Sequence, residues 1–196
     1  MHPLHPELTA AMSAMLDKLD AWLRSGGYAG DPVKMFLAGG MALHFHCGAR
    51  YTEDVDASFS ARLLVPAKEL TVDYVREDGT PSTLYFDANY NNTFALLHPD
   101  YQENAVPWEG IGNERRLVHL LVFSAIDLAV SKISRFAGQD REDILLLASR
   151  KFFTADQLHR HAREALDYYV GNTRWVEGTI DLICEEIRFP DAGVKG

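Results

Sequence analysis

Two aspartates one residue apart, Asp54 and Asp56 in "YTEDVDASFS", demand a chemical reason. Aspartate is a poor strand former, and an unpaired buried carboxylate is costly enough to shift its pKa until it is neutral. The stretch alternates and reads as a strand, in which residues i and i+2 share a face. Asp54 and Asp56 then aim together while Val55 points to the core, and the two carboxylates lie within reach of a shared cation. Carboxylate oxygens suit Mg2+, and two metals about 3.5–4 Å apart clamp the attacking and leaving oxygens of a phosphoryl transfer. A solvated edge strand with two exposed acids is the plainer alternative, because D-x-D recurs by chance.

A second stretch, "FLAGGMAL", closes an apolar strand with Gly39-Gly40 and turns into a helix. Glycine lets backbone approach closely, and helix N–H groups then face an anion such as a phosphate chain. The alternative is a tight strand-to-helix turn that needs only positive φ. Together the two stretches say more than either alone. Thirteen residues separate Gly40 from Asp54, so a phosphate cradle and a metal pair are expected at the same end of neighbouring strands.

At this point "LAGGMALHFHCGARYTEDVDASFS" resembles the nucleotidyltransferase signature of the DNA polymerase beta-like superfamily. Its form, with "GGMALHFH" and then R-x-T and D-V-D, is similar to the branch of bacterial minimal nucleotidyltransferases that includes abortive-infection toxins. "LLVFSAIDLAVSKISRFAGQDREDILLL" resembles a later motif of that branch: a strand, a D-L dipeptide, a helix with lysine and an acidic segment opening the next helix. The resemblance implies that Gly39 and Gly40 hold a triphosphate and that Asp54 and Asp56 bind Mg2+ or Mn2+. It gives Lys132 a triphosphate contact, with Arg135 further round the same helix. Asp143, with Arg141 beside it, orients Lys132, helps with the substrate, or only favours a helix N-terminus. Arg50 and Thr52 become supports of the aspartates. Asp87 in "LYFDA" is the expected third carboxylate and metal ligand, with Asp73 in "LTVDYV" as its rival. Lys132 has a plainer reading as a solvent-facing lysine.

The implied activity is an enzyme's: a nucleoside monophosphate moves from an NTP to an acceptor hydroxyl, and pyrophosphate leaves. The toxin-like branch suggests tRNA as acceptor and a cognate antitoxin as partner, in a toxin–antitoxin or abortive-infection system. A protein or an aminoglycoside-like small molecule is the alternative acceptor. The rival function is a catalytically weak or inactive module of the same fold that binds nucleotide or a partner protein. A purely structural protein requires both motifs to be coincidental.

Other clusters carry less. In "HFHC", His44 and His46 lie about 200° apart on a helix and do not converge on a metal with Cys47. "HRH", with His159 and His161, meets the same objection. No G-x-S-x-G, H-E-x-x-H or P-loop lysine motif is present, which disfavours a serine hydrolase, a zincin and a P-loop ATPase.

The elements that must position these residues follow from periodicity. "ELTAAMSAMLDKLDAWLR" sets Leu8, Met12, Met15, Leu16, Leu19 and Leu23 at helical spacing. "VKMFL" and "RLVHLLVFS" read as strands, and "ELTVDYVREDGTPSTLYFDANY" as a hairpin around "EDGTPS". Residues 91–116 are loop-rich, with a candidate edge strand at "TFALL". Four helices are expected after Ser124. Asp140 is an expected N-cap of the second of them, while Thr154 with Gln157 forms a capping-box pattern in the third, which Gly171 closes. The class is therefore α+β: a nucleotidyltransferase-type mixed sheet flanked by helices over residues 1–123, a helical segment over 124–188 packed on that core, and a tail over 189–196.

Composition agrees. The 196 residues are 47% hydrophobic and 24% charged, ordinary for a globular chain. The net charge of −9 argues against a general nucleic-acid coat. Yet Arg115–Arg174 holds ten Lys/Arg against seven Asp/Glu, a net +3, while the remainder holds nine against twenty-one, a net −12. A polyanionic substrate should lean on the second half, unless this is ordinary helix-surface charge. Two distant cysteines make a disulfide framework improbable and point to a reducing cytoplasm. No apolar run reaches spanning length, and "MHPLHPELTAAM" lacks the basic start and apolar core of a signal peptide.

Overall fold

The computed structural model describes residues 4–48, 51–90 and 95–190. The class is α+β, with mixed sheets, six α-helices among the described residues and a helical C-terminal part. The chain divides into two compact units, one of residues 1–90 and 105–122, the other of 91–104 and 123–196.

The first unit opens with helix α1 (Pro6–Ser25), and all six apolar positions expected from the sequence are buried along it. Pro6 starts the helix, where its missing N–H is no loss. Strand β1 (Val33–Leu37) is nearly all apolar. It lies between β3 (Ala57–Phe59), antiparallel, and β7 (Val118–Val122), parallel, with the short β6 (Val106–Pro107) on the far side of β7. A strand in the middle of a sheet covered on both faces reads this way. Arg116 ties β7 to α1: its Nε donates to Asp17 at 2.8 Å and its Nη2 to the Ser13 hydroxyl at 2.8 Å.

A second, three-stranded sheet holds the expected hairpin. Strands β4 (Thr71–Val75) and β5 (Pro81–Phe86) pair antiparallel, and β2 (Asp54–Val55) runs parallel to β5. "YTEDVDASFS" is therefore not one continuous strand. Its first half pairs in one sheet and its second half, β3, in the other, with Asp56 at the changeover. Val55, fully buried, points inward as expected. No strand forms at residues 95–97 of "TFALL"; the rest of that stretch, Thr93 and Phe94, lies outside the described residues.

The second unit contains α3 (Ala125–Ile133), α4 (Gly138–Ser149), α5 (Ala155–Leu166) and α6 (Thr173–Arg188). Ser124 caps α3 by accepting from Asp127 N. Thr154 and Gln157 close the expected capping box of α5, at 2.8 and 3.2 Å. That helix stops at Leu166, short of Gly171. In α6, Val176, Thr179, Ile180, Ile183 and Cys184 form the buried stripe at helical spacing. Among the described residues no helix is long and apolar enough to cross a membrane.

Candidate functional site

Gly39 and Gly40 do not precede helix α2 (Gly39–Cys47) but open it, as its first two residues. Gly39 has φ +59°, a left-handed conformation that side-chain-bearing residues rarely adopt. A Cβ on Gly39 would sit 1.8 Å from Asp56 Oδ2, and one on Gly40 would sit 2.8 Å from Thr52 Oγ1. The bare glycine backbone is thus what admits Asp56 and Thr52 to the start of α2. Backbone bonding reinforces this, since Ala38 N donates to Asp56 O at 2.9 Å. The glycine turn and the D-x-D segment, thirteen residues apart in sequence, share one place.

The two aspartates differ. Asp54, on β2, is exposed, and Asp56, at the changeover between sheets, is half-buried. Thr52 Oγ1 donates to Asp54 O at 3.3 Å, across the turn into β2. Arg50 lies outside the described residues.

The register also ranks the third carboxylates. Asp54 lies opposite Tyr85 and Val55 opposite Phe86, so the next step along the ladder sets Asp87 beside Asp56. Asp87 N donates to Val55 O at 3.1 Å, carrying the parallel pairing one residue past β5. One Asp87 oxygen already accepts from Asn89 N at 2.8 Å. Asp73 pairs with Thr83, whose hydroxyl donates to it at 2.7 Å. Thr83 stands four residues before Asp87, about 13 Å along the strand, so Asp73 belongs to a different part of the sheet. The donors of Asp54, Asp56 and Asp87 are all carboxylate oxygens, the ligand type that Mg2+ and Mn2+ take.

Lys132, Arg135 and Asp143 gather in the second unit. Lys132 is not solvent-facing: its ammonium is buried, 2.8 Å from Asp143 and 3.3 Å from Asp140. Asp140 and Asp143 stand three apart on α4 and so share a face. Arg135 binds Asp140 bidentately, with both contacts at 2.7 Å. Asp140 was expected as the N-cap of α4. It is instead the third helical residue, and its carboxylate accepts from the N-cap Ala137 N at 3.1 Å. Burial pushes the Asp140 carboxyl up, but the hydrogen bonds from Arg135 and the charges of Lys132 and Arg135 outweigh it, holding the group below its ordinary range. Among the described residues, two cations and two anions meet there. Arg141 points elsewhere, to Glu186 at 2.7 Å.

The histidine motifs divide. His44 is buried and stacks on His5 at 5.2 Å, and His46 meets Phe45 edge-on. "HFHC" packs, as expected. In "HRH" the two rings diverge, His159 toward Asp181 at 3.2 Å and His161 toward Asp127 at 2.7 Å. Among the described residues, one group of three has its ligand atoms within 4.8 Å of one another: His98, Asp127 and His161. Sequence reasoning missed it, because three residues from a loop and two helices carry no common spacing. The local hints were His161, set aside within "HRH", and S-x-x-D at Ser124–Asp127, a capping pattern that fixes Asp127 at the start of α3.

No curated protein matches the chain. Over residues 14–178 it matches the family described as "nucleotidyltransferase of unknown function (DUF6036)". That match covers most of the chain, including the glycine turn, the D-x-D segment and the Lys132 cluster, and the chain belongs to this nucleotidyltransferase family.

Proposed function

We propose that the chain transfers a nucleoside monophosphate from an NTP to an acceptor hydroxyl, at the place where Gly39 meets Asp56. The observation that carries this reading is the contact itself. A glycine with φ +59° brings the N-terminus of α2 against the D-x-D carboxylate, closer than any side chain there would permit. Anion-binding N–H groups and cation-binding oxygens side by side are what a metal-bound triphosphate requires.

In this reading Asp54 and Asp56 hold Mg2+ or Mn2+, with Asp87 as the third carboxylate. When bound, the ion supplies Lewis-acid charge to the phosphate oxygens. The N–H groups of Gly39 and Gly40 orient the phosphates, and Thr52 and Arg50 support the aspartates. The acceptor oxygen forms its bond to the α-phosphorus in line as the bond to pyrophosphate breaks. The protein contributes mostly positioning and charge neutralisation. The resemblance to the minimal-nucleotidyltransferase motifs makes tRNA the first acceptor to try, with toxin-like action restrained by an antitoxin as the biological setting.

The test incubates the protein with each α-labelled NTP, Mg2+ or Mn2+, and separate fractions of RNA, protein and small molecules. Label should enter one fraction, and Asp54→Asn and Asp56→Asn should stop it. Equal labelling by Asp54→Asn and the wild type would refute the assignment.

A second reading has one observation in its favour: the acidic trio is not the group whose ligand atoms converge within 4.8 Å. A nucleotide-binding module of this family would bind NTP with Mg2+ in calorimetry without releasing pyrophosphate, whichever acceptor is offered.

A further inference from the structure

We propose that His98, Asp127 and His161, with Glu164 as a fourth donor, form a binding site for a zinc-type divalent transition-metal ion that ties segment 95–104 to α3 and α5. The site lies wholly within the second unit and is independent of the nucleotide site proposed above.

The donors come from three places. His98 sits in the segment before Asp100, Asp127 in the first turn of α3, and His161 and Glu164 three apart on one face of α5. His161 Nε2 lies 2.7 Å from Asp127 Oδ1, and His98 Nε2 lies 3.1 Å from Glu164 Oε2. One ligand atom from each of His98, Asp127 and His161 falls within 4.8 Å of the other two. In a tetrahedral zinc site with bonds near 2.0–2.1 Å, donor atoms are about 3.4 Å apart, so the widest separation must contract by up to about 1.4 Å. The two imidazoles are stacked, 4.0 Å between centroids and 7° between planes. Their in-plane lone pairs therefore lie in parallel planes, and one ring must tilt to reach a shared ion.

Charge supplies the reason for an ion. The Asp127 side chain is fully buried, and that of His98 is 9% exposed. Asp100 adds a further carboxylate 4.0 Å from His98 Nδ1. Among the described residues no lysine or arginine pairs with Asp127, Glu164 or Asp100. The Ser124 hydroxyl is hydrogen-bonded to the remaining Asp127 oxygen and holds that carboxylate in place. Among the described residues, the basic side chains paired with these acids are the two imidazoles, in contrast to the lysine and arginine of the Lys132 cluster in the same unit. An ion between His161 and Asp127 replaces the proton of their hydrogen bond. Glu164, with its side chain 55% exposed, marks the side from which it enters.

Two imidazole nitrogens with carboxylate oxygens select zinc-type ions over Mg2+, which prefers oxygen alone. With four protein donors the site is closed, as structural zinc sites are.

The experiment uses the full chain stripped with EDTA and titrated with Zn2+ by calorimetry, with Co2+ as a spectroscopic stand-in. We expect about one equivalent to bind at this site, ligand-field bands with Co2+, a rise in melting temperature, and no displacement by excess Mg2+. His161→Gln keeps a donor for Asp127 but loses the imidazole, and His98→Gln loses the other ring. Each should lower Zn2+ affinity about 100-fold or more, while His159→Gln, whose ring faces Asp181, keeps it. If His161→Gln or His98→Gln does not fold, Glu164→Gln at its exposed position carries the test, with a loss of about 10-fold or more. Zn2+ binding by all the folded variants equal to the wild type overturns the proposal, as does no uptake by the wild type or ready displacement by Mg2+.

Discussion

Asp54 and Asp56 in the first unit, and Asp140 and Asp143 in the second, are both pairs of aspartates close in sequence. Asp54 stands exposed at the end of a short strand, with Asp56 against a bare glycine. Asp140 and Asp143 are buried around one lysine, and an arginine closes the outer side. The first pair lies nearer solvent, and Asp56 sits beside the first turn of α2. The second pair is saturated by its own chain. Burial therefore separates the pair we propose as metal ligands from the pair that joins α3 to α4, although both carry the same charge.

The largest test of this contrast is substitution in the first pair. Asp54→Asn and Asp56→Asn should each lower nucleotidyl transfer by about 10³-fold or more while leaving the urea midpoint unchanged. A large loss of stability in Asp54→Asn would make that residue structural. The converse change, Lys132→Met, removes the buried ammonium that Asp140 and Asp143 share. It should destabilise the protein by about 3–5 kcal/mol in urea unfolding, and neutralising Asp143 in the same chain should recover part of the loss. A fully stable Lys132→Met protein would break the comparison.

The glycine turn gives a finer test. Gly39→Ala combines left-handed strain with a collision at Asp56, whereas Gly79, at φ +83°, has open space where its Cβ would go. Gly79→Ala should cost about 1–2 kcal/mol from strain alone. Gly39→Ala should cost more and also impair transfer, and equal effects would mean that Asp56 moves aside freely. Acid offers a smaller effect. The folded Asp140 carboxyl sits below its unfolded value, so the stability it contributes is present above about pH 4. That contribution fades as pH falls through the depressed folded value. Asp140→Asn should thus show a shallower acid loss than the wild type in melts below about pH 4. The smallest expected signal is at Cys184, where burial pushes the thiol up to about 11. It should resist iodoacetamide at pH 8 until the chain unfolds, and ready labelling would show the second unit opening locally.

Local patterns were legible in the sequence. The α1 stripe, the β4–β5 hairpin and the Thr154–Gln157 box depend on neighbours within a few residues, and each formed where expected. What escaped depends on distant partners. Asp56 looks like mid-strand until β5 and β1 compete for the two halves of "EDVDASFS". Lys132 lies on the flank of α3, where only the later placement of α4 decides between water and two carboxylates. His161 meets Asp127 across 34 residues and His98 meets Glu164 across 66, separations that no periodicity encodes. The glycine turn and the aspartates were legible as a pair, yet the strand break that seats Asp56 at α2 was not.

The burial of Lys132 between Asp140 and Asp143 has a consequence for ionic strength. Salt weakens exposed pairs such as Arg188–Asp156. It reaches the Lys132 contacts much less, because the lysine and both aspartates are buried. Across the range from dilute buffer to brine, α3 and α4 are joined by a contact that the surrounding solution barely senses.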